Sequence, residues 1–567
     1  MNKFFANVGK NLATDLHQEH NNVLKDPNES IFRVTPTLSK INLDYDLFQK
    51  SFKATVKPNK ACGKDSLSAT DLYLNQNVST NGLYRVFEKS VATGKFPSSW
   101  KVAKVCSIYK NGCKRDCSNY RPISLLSIPS KVVEHFVCSQ IKDHLISHNI
   151  QSEHQWGFRQ NRSTEDLLLY LTETWRSALD NNKVIGILFS DFKKAFDSLS
   201  HEVLFKKLAA AGISGDFYDY LVSYLSDRYQ YSVVNGEESE TLHVEFGVPQ
   251  GSILGPTCFT TNIDDMPQET DCNMELFADD PTAFKIGDSV DQVLGDLQIS
   301  VNNIRSYAIK NYLTIHPDKC KILVLSRQPF MGPLPAVKLN DKAIKIDSES
   351  KCLGVTVDHQ LSWEPHVKKV CKKFNAKLKK LYKMRSLNSS TIESIYNRGI
   401  LPSALYGILV WGNCSRQLLN DINKIHIRAA RFIKRIKKCV PDEEVLSKAN
   451  WKPMSFYYKR RIACSAYKIY NKISSPLLYD FIEKSNVATR TRNISRVIIP
   501  KFRYVAYKKS FKYRAATVWN NLPSKIKDVN SQNCFKNALR KSNILDRINF
   551  GQNATILARD PLIYEYY

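Results

Sequence analysis

Glu275-Leu-Phe-Ala-Asp-Asp-Pro-Thr-Ala-Phe284 decides how this chain is read. An apolar run stops at two adjacent carboxylates, Asp279 and Asp280, and apolar character resumes after Pro281. An earlier stretch, Lys183-Val-Ile-Gly-Ile-Leu-Phe-Ser-Asp-Phe192, likewise ends its apolar run at a carboxylate, Asp191. Both stretches read as short strands bounded by turn residues. Carboxylates at two strand ends, brought together in one sheet, make an oxygen-ligand site for divalent cations such as Mg²⁺. A pair of such ions clamps the attacking and leaving oxygens of a phosphoryl transfer. An Asp pair after an apolar run is also what a solvated turn looks like, so the surrounding motifs carry the weight.

Between the two acidic stretches lies Gly247-Val-Pro-Gln-Gly-Ser-Ile-Leu-Gly-Pro256. Its glycines admit close backbone approach to a ligand, and its prolines keep it out of a strand or helix interior. Upstream stand Asn119-Tyr-Arg-Pro-Ile-Ser-Leu-Leu126 and Gln155-Trp-Gly-Phe-Arg159, the latter followed by Ser163-Thr-Glu-Asp166. That last tetrad predicts a helix start of the capping-box kind. Downstream come Lys351-Cys-Leu-Gly-Val-Thr-Val-Asp358, then Leu361-Ser-Trp363 and His366.

Together with Asp191-Phe-Lys-Lys-Ala-Phe-Asp197, these motifs resemble, in order and spacing, the reverse transcriptases of non-LTR (LINE-type) retrotransposons, most like the jockey and CR1 groups. The resemblance begins at Phe4-Phe-Ala-Asn-Val-Gly9 and extends through Tyr406-Gly-Ile-Leu-Val-Trp-Gly412 and Trp519-Asn-Asn-Leu-Pro523 in looser form. Those last two argue against a cellular or group II intron-like enzyme. The resemblance implies an RNA-directed DNA polymerase that takes dNTPs, an RNA template and a DNA primer or target. It implies two Mg²⁺ ions, with Mn²⁺ as the substitute. Asp191 and Asp279 would be the principal metal ligands and Asp280 the third carboxylate. Phe196 falls at the steric gate that excludes a ribose 2′-hydroxyl, although an aromatic after a buried strand is commonly core. Gln250 and Gly251 would line the incoming nucleotide, Lys110 and Arg121 would hold the triphosphate, and Leu353 and Gly354 would belong to the primer grip. Full-length relatives carry an endonuclease ahead of the polymerase. This chain is therefore expected to copy a primed template without nicking its own target.

The chain has 567 residues, with 82 Lys and Arg against 54 Asp and Glu, a formal net charge of +28. Residues 351–567 hold 43 basic and 13 acidic side chains, while the first 350 hold 39 and 41. An excess confined to one part points to a polyanion partner. Lys368–Tyr382 and Ile422–Ile436 interleave cations with apolar residues at helical spacing. Lys501–Arg514 mixes Lys and Arg with Phe and Tyr, as single-strand binders do. The 14 cysteines are scattered, and Cys106, Cys113 and Cys117 lack a fourth zinc ligand at finger spacing. No secretory signal or long apolar run appears, so the chain is expected inside the cell, in nucleus or cytoplasm, and off the membrane. Oligomeric state is not encoded in any motif.

The expected fold is α+β, a right-hand polymerase with fingers, a palm carrying an antiparallel sheet and a thumb, followed by a basic, mainly helical C-terminal domain. Residues 1–50 read as a lead-in broken by Pro27 and Pro36 and 51–150 as fingers. The palm takes 151–330, the primer-grip β segment 331–365, set off by Gly332-Pro-Leu-Pro335, and thumb plus basic region 366–567. Several residues depart from the family's habit. Threonines and Asn262 stand in 257–262 where burial is expected, and a buried unpaired polar group costs about 1–3 kcal/mol. Pro281 removes a backbone donor from a strand, and Cys62 and Trp156 are unusual. These departures keep an alternative in play: a decayed element copy that only binds nucleic acid.

Overall fold

A computed structural model of the protein describes residues 1–23, 36–328, 333–485, 496–548 and 550; Pro27 and Gly332 lie outside the described residues. The chain forms two compact units: Met1–Phe158 with Ser190–Pro281 and Ile299–Lys319, and Arg159–Phe189 with Thr282–Gln298 and Cys320–Tyr567.

Strands are numbered along the chain: β1 Val102–Tyr109, β2 Tyr120–Leu125, β3 Val184–Phe189, β4 Arg228–Val234, β5 Glu237–Glu238, β6 Leu242–Val244 and β7 Asn273–Phe277. They continue with β8 Asp280–Gly287, β9 Lys321–Leu325, β10 Lys338–Leu339, β11 Lys342–Ala343, β12 Lys345–Ile346, β13 Glu349–Cys352 and β14 Val355–Asp358.

In the first unit β1 pairs antiparallel with β2, setting Tyr109 opposite Tyr120, and parallel with β4, setting Val102 opposite Tyr229. β5 and β6 both pair with β4. Beside this sheet the helices Tyr45–Thr55, Gln76–Ala92 and Ile128–Ser147 meet through Phe48, Phe87 and Phe136. Phe48 and Phe87 stack with centroids 5.5 Å apart, and all three rings are buried. Such aromatic contacts add to simple area burial.

In the second unit β12, β9, β3 and β8 run in that order. β3 is an unbroken apolar hexapeptide, buried at every residue, as a strand bonded on both edges and covered on both faces requires. Gly186 lies where any side chain would strike Val293 and Leu297. The helix Thr164–Asp180 opens at Ser163, whose hydroxyl accepts from the Asp166 N–H at 3.2 Å, as the capping pattern predicts. This helix buries carboxylates, each with a partner. Glu165 pairs with Arg461, and Glu173 accepts from the backbone N–H groups of Phe511 (2.7 Å) and Lys512 (3.1 Å). Glu173 thereby satisfies orphan donors at the start of the helix Phe511–Asn520.

The basic periodic stretches are helices, Glu364–Tyr382 and Arg416–Lys434. The second buries Ile422, Ile425, Ala429 and Ile433 on one face and ends at Arg435, which is left-handed. Within 501–514 two of the rings, Tyr507 and Phe511, are buried and serve the core. Among the described residues no helix is long and apolar enough to cross a membrane.

Candidate active site

Asp191, Asp279 and Asp280 all belong to the first unit, Asp191 and Asp279 just beyond the ends of β3 and β7 and Asp280 as the first residue of β8. The Ser190 N–H donates to the Pro281 carbonyl at 3.4 Å, so the two acidic stretches run side by side where the pairing stops. The Asp191 carbonyl accepts from the His316 N–H at 2.8 Å. Burial raises the Asp279 pKa, and the Asp191 charge raises it further; its own backbone N–H, Arg121 and Lys110 pull it back. Asp280 is exposed. Among the described residues no three His, Cys, Asp or Glu side chains gather as a metal-holding group, so the arrangement brings together a carboxylate pair and leaves Asp280 beside it. A pair suits Mg²⁺, which takes one or two carboxylates and completes its shell with water and substrate phosphates. The Lys319 ammonium stands 2.5 Å from the Asp191 carboxylate.

The short link between β7 and β8 that carries Asp279 is held from outside. Gln155 accepts from the N–H groups of Gly157 (2.8 Å) and Ala278 (3.1 Å). Ala278 has φ +54°, a left-handed backbone that needs support in a residue with a Cβ. A side chain at Gly157 would stand 2.4 Å from the Ala278 nitrogen. The Trp156 N–H donates to the Leu276 carbonyl, and the Leu276 N–H to that of His154. The indole of Trp156 donates to buried Glu275 at 2.6 Å, so this unusual tryptophan is fully accommodated.

The remaining predicted residues divide between the units. Lys110 and Arg121 are exposed, one just after β1 and the other on β2. Phe196 stacks on Phe259, centroids 4.6 Å apart at 21°. Its carbonyl accepts from the Val248 N–H. The Gln250 carbonyl accepts from the Ser124 N–H at 2.7 Å, and a Cβ at Gly251 would stand 2.5 Å from the Ser124 oxygen. Leu353 and Gly354 lie in the second unit, as the turn between β13 and β14.

Three residues escaped the sequence reading. Lys194, left-handed at φ +50°, is depressed in pKa by burial; Asp197 opposes that shift, while Lys110, Lys319 and Arg121 add to it. Lys110 and Arg121 thus act on both Lys194 and Asp279. Asp197 accepts from the Gln250 amide at 2.8 Å. Its other oxygen is enclosed without a protein partner, and burial pushes its pKa up to about 6. Asp197 and Lys194 stood in the motif around Asp191, and nothing in their spacing distinguished them. Lys319 lies far from that motif in sequence, and only the return of the chain brings it to Asp191.

Residues 108–357 match the family described as reverse transcriptase (RNA-dependent DNA polymerase). The chain is 29% identical over 355 residues to the probable RNA-directed DNA polymerase from transposon BS of Drosophila melanogaster, covering 60% of this chain and 39% of that protein. It is 27% identical over 421 residues to the RNA-directed DNA polymerase from mobile element jockey of the same fly, covering 72% and 45%. The probable polymerase from transposon X-element matches at 28% over 389 residues, covering 66% and 42%. The chain thus spans less than half the length of each of these relatives. Its mixed helices and sheets accord with a polymerase fold. By these matches and by its ordered motifs, the chain is similar to the reverse transcriptases of non-LTR, LINE-type elements.

Proposed function

We propose that the chain is an RNA-directed DNA polymerase, extending a primer 3′ end on an RNA template from dNTPs. One observation carries this reading: the stretches bearing Asp191 and Asp279 run side by side where β3 and β8 stop pairing, with the Lys319 ammonium on the Asp191 carboxylate. Asp191 and Asp279 are the metal ligands, with Asp280 as the third carboxylate. Bound Mg²⁺, two ions in this reading, supplies charge stabilisation at the phosphoryl oxygens and a more acidic primer hydroxyl. Lys110 and Arg121 hold the triphosphate as fixed cations where negative charge develops. Phe196, braced by Phe259, gates the sugar, and Gln250 and Gly251 line the incoming nucleotide. Leu353 and Gly354 grip the primer. Residues 51–150 act as fingers, 151–330 as palm and 366–567 as thumb and basic helical region.

The test is extension of oligo(dT) on poly(rA) with Mg²⁺ and dTTP, beside Asp279→Ala, with duplex binding measured separately. Extension by the wild type, abolished in the variant while binding persists, is expected. Undiminished extension by Asp279→Ala overturns the assignment. A second reading, a decayed copy that only binds nucleic acid, draws support from Asn262, fully buried with neither amide atom partnered by protein. Folded wild-type protein that binds the duplex and extends nothing would establish that reading instead.

A further inference from the structure

The sequence motif Tyr406-Gly-Ile-Leu-Val-Trp-Gly412 has no part in the chemistry described so far. Its first residue reaches the Leu353–Gly354 turn, within the second unit. That turn joins β13 to β14 in two residues, with Cys352 paired to Val355. Leu353 has φ +44° and Gly354 φ +88°. Positive φ at both central positions defines the type I′ hairpin turn, whose first position favours Asn, Asp or Gly. Leucine gains nothing locally there and clashes through its Cβ. A strained non-glycine residue persists only where its surroundings over-determine it, and such residues cluster at functional sites.

Tyr406 supplies that determination. Its hydroxyl donates to the Leu353 carbonyl at 2.7 Å and lies 3.2 Å from the Thr164 hydroxyl. Its ring covers Gly354, where a Cβ would stand 3.1 Å from the ring edge. Tyr406 is itself anchored: its carbonyl accepts from the Trp411 indole at 2.7 Å. Gly407, at φ +68°, turns the chain against Val355. The Leu409 N–H donates to Glu165, which Arg461 holds. Tyr406 nevertheless stays 42% exposed, so the hydroxyl braces a surface turn and is no core contact.

We propose that Tyr406 is a positioning residue for the primer grip: through its hydroxyl it holds the Leu353–Gly354 turn in its strained form and so presents the Leu353 side chain to the primer strand. The proposal rests on the reading of Leu353 and Gly354 as the grip. It assigns the motif from Tyr406 to Trp411 to primer handling, although it lies some fifty residues beyond the turn that it braces.

The experiment measures binding of the 567-residue chain to a fluorescent oligo(rA)/oligo(dT) duplex with a recessed 3′ end, and to oligo(rA) alone, so that it needs no turnover. Three variants are compared with wild type: Tyr406→Phe, which deletes only the hydroxyl, Leu353→Asn, which suits the turn but removes the side chain, and the pair together. Tyr406→Phe is expected to weaken recessed-duplex binding about fivefold, the size of one hydrogen bond, with oligo(rA) binding and melting temperature unchanged. Leu353→Asn is expected to weaken it at least as much, and the double variant no further than Leu353→Asn. Weakened binding by Leu353→Asn with wild-type binding by Tyr406→Phe overturns the brace. Wild-type binding by Leu353→Asn overturns the grip reading beneath it. Equal loss on oligo(rA), or a double variant whose loss is the product of the singles, also overturns the brace.

Discussion

Burial pushes the Asp197 carboxyl up to about pH 6 against an ordinary value of 3.8, with the Gln250 amide and Lys194 only partly offsetting the lost water. His201 and Arg228 line the same small cavity. A carboxyl whose folded pKa is raised binds its proton more tightly in the native state. Its cost is therefore absent below about pH 3.8, grows between there and 6, and is complete above. Asp197→Asn should remove that cost. Its melting temperature relative to wild type should rise between pH 4 and pH 7.5, by a difference worth at most about 3 kcal/mol. A pH-independent difference would sink the account. The same variant should extend primers less well, because an ionised carboxylate accepts only and so fixes which way the Gln250 amide faces. Pro281 is the residue whose oddness matters least. It sits at the frayed end of β8, its carbonyl used by Ser190, and forfeits at most one terminal bond. Pro281→Thr should leave the extension rate within about twofold, a bond of that kind contributing about 1 kcal/mol to stability; a large gain in rate would mark the proline as a lesion.

At the scale of elements, the segment 155–157 acts as a prop for the link that carries Asp279. Gln155 and Gly157 do this through hydrogen bonds to a left-handed Ala278 and through close approach. Gly157→Ala drives a methyl into backbone, which costs about 1–3 kcal/mol in packed sites. It should cut extension at least tenfold while leaving template binding largely intact; wild-type extension by a folded Gly157→Ala protein would refute the prop. The helices and strands themselves were largely legible. Ser163 as a cap, β3 as a buried strand and the two basic helices follow from local chemistry and periodicity. The 257–262 stretch was legible only in part. Thr257 and Thr260 satisfy their hydroxyls, Thr257 against Cys138 and Thr260 within its own helix, whereas the Thr261 hydroxyl and the Asn262 amide stay unpaired. Sequence shows a polar residue in an apolar place, but only packing says whether a partner lies within reach.

At the scale of the molecule, charge and core are divided unequally along the chain. The helix Glu364–Tyr382 buries Val367, Phe374, Leu378 and Leu381 and leaves Lys372, Lys373, Lys379 and Lys380 exposed. Their joint replacement by glutamine should weaken RNA binding regardless of sequence and lower the slope of log affinity against log salt by up to roughly 3. An unchanged slope would remove this helix from the nucleic-acid surface. What the sequence determined by itself was everything governed by short range: where apolar runs end in carboxylates, which helices are amphipathic and where they start, and the order of motifs that marks the family. Only the tertiary structure decided the rest. It set Lys319 on Asp191, Asp197 on Gln250, Glu173 on the start of a distant helix and Tyr406 on a strained turn. Each of these is a pairwise contact between segments far apart in the chain. A hydrogen bond or ion pair depends on a distance of about 3 Å, and periodicity and composition carry no information about which distant residue will supply the partner.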